Sequence, residues 1–157
     1  MAEINIDIGN ILVNHPAQNR EDIIRALGAL LFESKFVKDS YIQAVLDREI
    51  VFPTGLQTKT VGVAIPHTDT EHVNESTVAI ATLASPVVFM GMGYPDLEIP
   101  VSIVMMLAVS DKNKVMETLT KVISILENDA TIKKLVNAST EDEVQEAFLE
   151  HMDSIKQ

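Results

Sequence analysis

His67 is the residue of this chain best set up for chemistry. It closes the run Val-Gly-Val-Ala-Ile-Pro-His (61–67), and Thr68 and Asp69 follow at once. Val61, Val63 and Ile65 alternate as in a strand. Pro66 has no N–H to donate and ends the ladder, which puts His67 on a loop with a rigid base. A neutral imidazole near pH 7 keeps one free lone pair and is a competent nucleophile, provided its other nitrogen is fixed by a hydrogen bond. Setting alone leaves a merely structural histidine as the commoner explanation.

The other candidates are weighed against it. His15 lies in the polar segment Asn-His-Pro-Ala-Gln-Asn and reads as a loop residue, while His151 extends the apolar stripe of the last helix three residues after Phe148. Both read as half-buried structural histidines. His72 shares the loop of His67, and His67, Asp69 and His72 offer three zinc-ligand types, although their spacing matches no recognised helical or turn signature. The absence of cysteine removes thiolate nucleophiles, disulfides and cysteine metal sites. No G-x-S-x-G supports a serine hydrolase. Gly-Met-Gly at 91–93 lacks the rest of a dinucleotide fingerprint, and there is no P-loop. Arg48, one of three arginines, falls at the end of a helix just before a Pro53–Gly55 loop. A guanidinium there can grip a phosphoryl group with two parallel hydrogen bonds. A solvated cation beside Asp47 and Glu49 is the equal alternative.

The elements that must position these residues follow from periodicity. A helix is expected over Asn-Arg-Glu-Asp-Ile-Ile-Arg-Ala-Leu-Gly-Ala-Leu-Leu-Phe-Glu, capped by Asn19, with Ile23, Ile24, Leu27, Leu30 and Leu31 on one face. A second runs from about Ser40 to Glu49, with Ile42, Val45 and Leu46 inward. Leu56 to Thr60 continues the following loop as a polar, flexible stretch. Residues 76–85 and 87–92 read as two strands around Pro86, residues 94–100 as a turn or loop, and 101–109 as a strand buried on both faces. Asp111 caps a long helix with Val115, Leu119, Val122 and Leu126 inward and Met116 and Ile123 beside them. A short helix spans 129–138. The last one opens with Thr140 and Glu143 at capping-box spacing and buries Val144, Ala147 and Phe148. Helices, then strands, then helices indicate one sheet covered by helices.

The bulk numbers bound the partners. The 157 residues suffice for one domain with its own core, expected over residues 1–157. A net charge of −11 repels nucleic acid and anionic lipid and suits encounter with a basic protein patch. The first ten residues lack a basic region followed by an apolar run, and the longest apolar stretch, 101–109, is too short to span a bilayer. A cytoplasmic protein is expected.

Four segments taken together resemble one family: "DREIVFPTGL", "VGVAIPHTDTEHV", "SPVVFMGM" and "VSIVMMLAV". The pattern is similar to the enzyme IIA domain of the sugar phosphotransferase system, fructose–mannitol type (type 2). Its Ile-Pro-His-Thr-Asp with Pro-Thr-Gly-Leu before it most resembles the galactitol branch. The resemblance implies an α/β fold, a single mixed β-sheet flanked by helices on both faces in an α/β/α sandwich. It implies that His67, through Nε2, accepts a phosphoryl group from the phosphocarrier protein HPr and passes it to a IIB component. The membrane IIC component would be reached only through the IIB/IIC complex. Arg48 matches the arginine that steadies the phosphoryl group, with backbone N–H groups around Thr54, Gly55 or Thr68 in support. No cofactor or metal is implied. Where many fructose and mannitol members carry a second active-site histidine, this chain reads Ser-Asp-Lys-Asn-Lys, so Lys112, Asn113, Lys114 or His72 is left to take its place. Two alternatives stay open: a regulatory protein of the nitrogen-related branch, acting by phosphorylation-dependent protein binding, and a His/Asp zinc site.

Overall fold

The computed structural model describes residues 4–155. A five-stranded mixed sheet runs through its middle. The strands are β1 (Ile11–His15), β2 (Gly55–Gln57), β3 (Gly62–Ala64), β4 (Thr77–Gly91) and β5 (Tyr94–Ala108). β4 and β5 form a long antiparallel hairpin. β1 lies parallel to β4 and β3 parallel to β5, with β2 antiparallel to β3. The far end of β4 swings across to meet β2 at Gly91 and Gly55.

Helices cover both faces, as expected. α1 (Arg20–Glu33) and α2 (Tyr41–Val51) pack on one; α3 (Val115–Leu126), α4 (Asp129–Asn137) and α5 (Glu141–Ser154) pack on the other. β5 shows the reason in its sequence. Val101, Val104, Met106 and Ala108 point into the α1–α2 core, while Ile103, Met105 and Leu107 point into the α3–α5 core. Both sides of the pleat are apolar because both are covered. Each of the valine, isoleucine, leucine and methionine side chains, fully withdrawn from water, contributes roughly 1.5–3 kcal/mol. Among the described residues no helix is long and apolar enough to cross a membrane.

Helix starts follow their capping residues. Asn19 accepts from the Asp22 N–H at 2.9 Å, and Thr140 from the Glu143 N–H at 3.2 Å. The Glu143 carboxylate reaches back to the Ser139 N–H at 3.0 Å. Several expectations need correcting. Leu56 and Gln57 are not loop but belong to β2, zipped to β3, and only Thr58–Thr60 lies between the two strands as expected. Pro86 does not divide two strands. β4 passes through it on a bulge, its pairing with β5 jumping from Thr82 to Val87, and Ala84, Ser85 and Pro86 bulge outward into solvent. Residues 94–100 are not a turn but the first half of β5, paired with the far half of β4 from Gly91–Tyr94 to Val88–Pro100. His15 is the last residue of β1. α2 runs on to Val51. α3 begins only at Val115, after a 3-10 turn over Lys112–Lys114, and buries Val122 and Ile125, whereas Met116 is 73% exposed.

Gly62 is dictated by a close approach. A Cβ there would lie 2.3 Å from the Pro100 carbonyl oxygen, so only glycine lets β3 nest against β5 at this point.

Candidate functional site

His67 stands three residues beyond the end of β3. The β3 edge is carried past the strand by the Pro66 carbonyl, which accepts the Leu107 N–H from β5 at 3.0 Å. The ring of His67 folds back so that Nδ1 meets the Ile65 carbonyl oxygen at 2.8 Å. A carbonyl can only accept, so Nδ1 donates and carries the ring proton, which leaves the lone pair on Nε2. Within the described residues Nε2 makes no hydrogen bond. Burial of the half-exposed ring holds its pKa below the usual histidine value; the Ile65 contact opposes that, Arg48 adds to it, and Asp69 opposes. The imidazole is therefore neutral at pH 7.

A depression of about 520 Å³ opens beside it. Arg48, Thr68, Lys112, Met116 and Leu119 line it together with His67. Arg48 comes from the last turn of α2. Its Nη1 donates to the Asp69 carboxylate at 3.0 Å, and its guanidinium lies 5.2 Å from the Phe52 ring centroid. Lys112 comes from the 3-10 turn ahead of α3. One neutral nucleophilic nitrogen stands beside two cations and an apolar rim, with the Asp69 and Glu71 carboxylates on the same lining, and the cations can receive an anionic, tetrahedral group.

The structure does not gather every residue singled out in the sequence. His67, Arg48 and Thr68 share the depression, and no acceptor among the described residues takes the Thr68 N–H. Thr54 is buried with its N–H committed to Glu49 at 2.7 Å, so it is not a phosphoryl donor. Gly55 is buried too, and its glycine identity has another cause: a Cβ there would stand 2.7 Å from the Met90 carbonyl oxygen. His72 points elsewhere, its Nδ1 on the Ser40 hydroxyl at 2.8 Å. Lys114 faces Glu117 at 3.8 Å, and the Asn113 N–H is bound by the Asp111 carboxylate at 2.9 Å. Of the four residues left open, Lys112 is the one in the depression. No three histidine or carboxylate side chains converge on a point among the described residues, and Asp69 and His72 are turned to Arg48 and Ser40. His151 is buried, with Nε2 against the Ser124 hydroxyl at 2.8 Å, and burial lowers its pKa. A second depression, about 440 Å³ between α4 and α5, is lined by lysines and glutamates such as the pair Lys134–Glu150 at 2.8 Å, with no nucleophile.

Two features escaped the sequence reading. Met116, placed beside the inward face, stands exposed on the rim of the depression, while Leu119, expected inward, packs against the core and lines the depression as well. Glu49, read only as a solvated neighbour of Arg48, is buried.

Known proteins carry the same architecture. The family described as phosphoenolpyruvate-dependent sugar phosphotransferase system, EIIA 2, matches residues 5–151. The mannitol-specific phosphotransferase enzyme IIA component of Staphylococcus aureus (strain MRSA252) is 30% identical over 142 residues, 90% of this chain and 92% of that protein. The galactitol-specific EIIA component of Escherichia coli (strain K12) is 24% identical over 134 residues, covering 85% and 88%. The transcriptional regulator ManR of Bacillus subtilis (strain 168) is 28% identical over 91% of this chain. The chain spans only 20% of ManR, and 21% of the mannitol-specific EIICBA component of E. coli. The crystal structure of IIA mannitol from E. coli superposes with a TM-score of 0.75 at 27% identity, covering 92% of this chain and 99% of that one. An E. coli complex of IIA mannitol with phosphorylated IIB mannitol gives 0.76 at 25% identity, covering 94% and 99%. Galactitol-named and mannitol-named relatives thus stand side by side. The match over residues 5–151 and the shared fold establish that the chain belongs to the type 2 enzyme IIA family of the phosphoenolpyruvate-dependent sugar phosphotransferase system.

Proposed function

We propose that the protein is a cytoplasmic phosphoryl carrier, taking a phosphoryl group from phospho-HPr onto Nε2 of His67 and handing it to a IIB component, and through the IIB/IIC complex to an incoming sugar or sugar alcohol. The observation that carries this reading is the Nδ1–Ile65 hydrogen bond, which leaves the Nε2 lone pair free beside Arg48 and Lys112. In the inward step Nε2 bonds to phosphorus as the bond from phosphorus to the donor nitrogen breaks; the outward step reverses the roles. The transition state is loose and in line, with charge spread over the equatorial oxygens. Alignment and positive charge are what the protein must supply. Arg48 turns from Asp69 to those oxygens, and Lys112 and the Thr68 N–H assist. Both surface partners of the Arg48–Asp69 pair are well exposed, so the pair is weak enough to exchange. The apolar rim of Met116 and Leu119, with exposed Ile50, Val51 and Phe52 near Arg48, supports alternating contact with two protein partners.

Galactitol is the proposed substrate of the system on the likeness of "PTGL" and "IPHTDTEHV" to that branch, and the mannitol-named relatives make mannitol the direct competitor. A regulatory role is the second reading, favoured by the similarity to ManR. The test is to incubate the protein with labelled phosphoenolpyruvate, enzyme I and HPr, then add galactitol-type and mannitol-type IIB proteins in turn. Acid-labile label lost in His67→Ala, and passed on to galactitol IIB, is the expected result. Unchanged label in His67→Ala defeats the site, and label passed only to mannitol IIB defeats the substrate. Label passed to neither IIB transfers the case to the regulatory reading.

A further inference from the structure

Beneath the depression lies a row of buried hydrogen bonds that phosphoryl chemistry as described leaves unused. Glu49, next to Arg48 on α2, is only 4% exposed and is the one carboxylate classed as buried among the described residues. Its Oε2 accepts the Thr54 N–H at 2.7 Å and its Oε1 accepts the Thr54 hydroxyl at 2.9 Å. With Glu49 ionised, as it is above about pH 7, and the hydroxyl proton given to it, Thr54 Oγ1 can only accept from the next group in line. That group is the Ile65 N–H, at 3.1 Å, which also reaches the Thr54 carbonyl at 3.3 Å. Ile65 in turn offers its carbonyl to His67 Nδ1. Ile65 is thus held at both polar ends, by Thr54 on one side and by His67 on the other.

A loop cap alone would not need this arrangement. One neutral acceptor would satisfy the Thr54 N–H, whereas a buried carboxylate carries a desolvation penalty that lifts the pKa of Glu49 to about 7. What the second oxygen adds is direction. It fixes the rotor of the Thr54 hydroxyl, which would otherwise be free to turn its proton toward Ile65. We propose that Glu49 is a positioning residue for His67: through Thr54 it pins Ile65, and Ile65 holds the imidazole with its proton on Nδ1 and its lone pair on Nε2. The inference rests on the reading of His67 as the phosphoryl acceptor.

The test pairs a direct view of the ring with a donor that needs no docking surface. Ring nitrogens of a 15N-labelled chain report by NMR which of them carries the proton. Phosphoramidate then supplies a phosphoryl group directly: Nε2 bonds to phosphorus, the phosphorus–nitrogen bond of the reagent breaks, and ammonia leaves. Thr54→Val, which keeps the shape and removes the hydroxyl, is expected to lose the uniform Nδ1–H tautomer and to label at least about tenfold more slowly. Glu49→Gln, with one acceptor for two donors, should fall between it and the wild type, and Thr54→Ser should rescue both readouts. Wild-type tautomer and rate in both Thr54→Val and Glu49→Gln would overturn the proposal. So would slower labelling with the Nδ1–H tautomer intact, which marks a structural role only. If Thr54→Val does not fold, Glu49→Gln against Thr54→Ser decides by the same two readouts. Failure of the wild type to label at His67 would instead remove the phosphoryl reading, and the tautomer comparison would still judge Glu49.

Discussion

Replacing Glu49 by glutamine should flatten the pH dependence of stability between pH 5 and pH 8. Burial moves this carboxyl from an ordinary 4.5 up to about 7, with the Thr54 hydrogen bonds and the charge of Arg20 pulling partly back. The folded chain then holds a proton that the unfolded chain has already released. Its contribution to stability is complete below pH 4.5 and is lost as pH rises through 7. Each unit of pKa difference is about 1.36 kcal/mol, and integrating between pH 5 and pH 8 gives a loss of about 2.5 kcal/mol. Glutamine cannot titrate, so the unfolding free energy of wild type minus that of Glu49→Gln should fall by about this amount across the window. The lost hydrogen bond in the variant offsets the curves by a constant and does not tilt them. Glu117 and Asp129, whose pKa values are lowered by Lys121 and by the Thr60 hydroxyl respectively, contribute in the opposite sense and only at lower pH. Both are present in each chain and cancel. Urea unfolding at pH 5, 6, 7 and 8, with equal m-values, measures the difference. A difference that stays level across the window would mean that Glu49 is an ordinary carboxylate and that its burial has no electrostatic consequence.

Other outcomes follow from the same geometry. Labelling of His67 by phosphoramidate should reach half its high-pH rate only below the ordinary histidine value of 6.5, because burial favours the neutral ring; a rate already halved at pH 7 contradicts this. Met116→Asp places a charge on the apolar rim and should lower kcat/KM with phospho-HPr by about tenfold, well beyond any change in labelling by phosphoramidate; equal losses with both donors would mean that Met116 acts on the chemistry and not on docking. Gly62→Ala drives a methyl group against the Pro100 carbonyl and should destabilise the fold by about 3 kcal/mol, read as a lowered urea midpoint. A midpoint unchanged from wild type would show that β3 can yield there.

The sequence was most legible where structure is local. Asn19 and Thr140 announce their helices because a cap and its N–H partner are three residues apart. β5 from Val101 onward is legible because both of its faces are buried. Residues 94–100 were not, since two prolines and an aspartate carry the composition of a turn, and only the facing half of β4 makes them a strand. β2 was missed for the same reason: three residues acquire strand geometry only from β3 and, at Gly55, from the far end of β4. At the site, residue type and spacing made His67 and Arg48 candidates with equal or commoner structural alternatives, and it was the resemblance to the family that singled them out. Which atoms meet was hidden. The Arg48–Asp69 pair and the Glu49–Thr54–Ile65 line join residues that come together only after the β2–β3 hairpin closes and docks on α2, and no window of sequence records that closure.

The central hairpin also sets an order of events. Both α-helices before β4 pack on one side of it, and the three after β5 pack on the other. A chain emerging from the ribosome can therefore seal its first layer as soon as Ala108 is out, while the second waits for α3, α4 and α5. Arg48 belongs to the early layer; Lys112, Met116 and Leu119 belong to the late one. During synthesis or refolding, the depression beside His67 should thus be completed last, after the histidine itself is already in place.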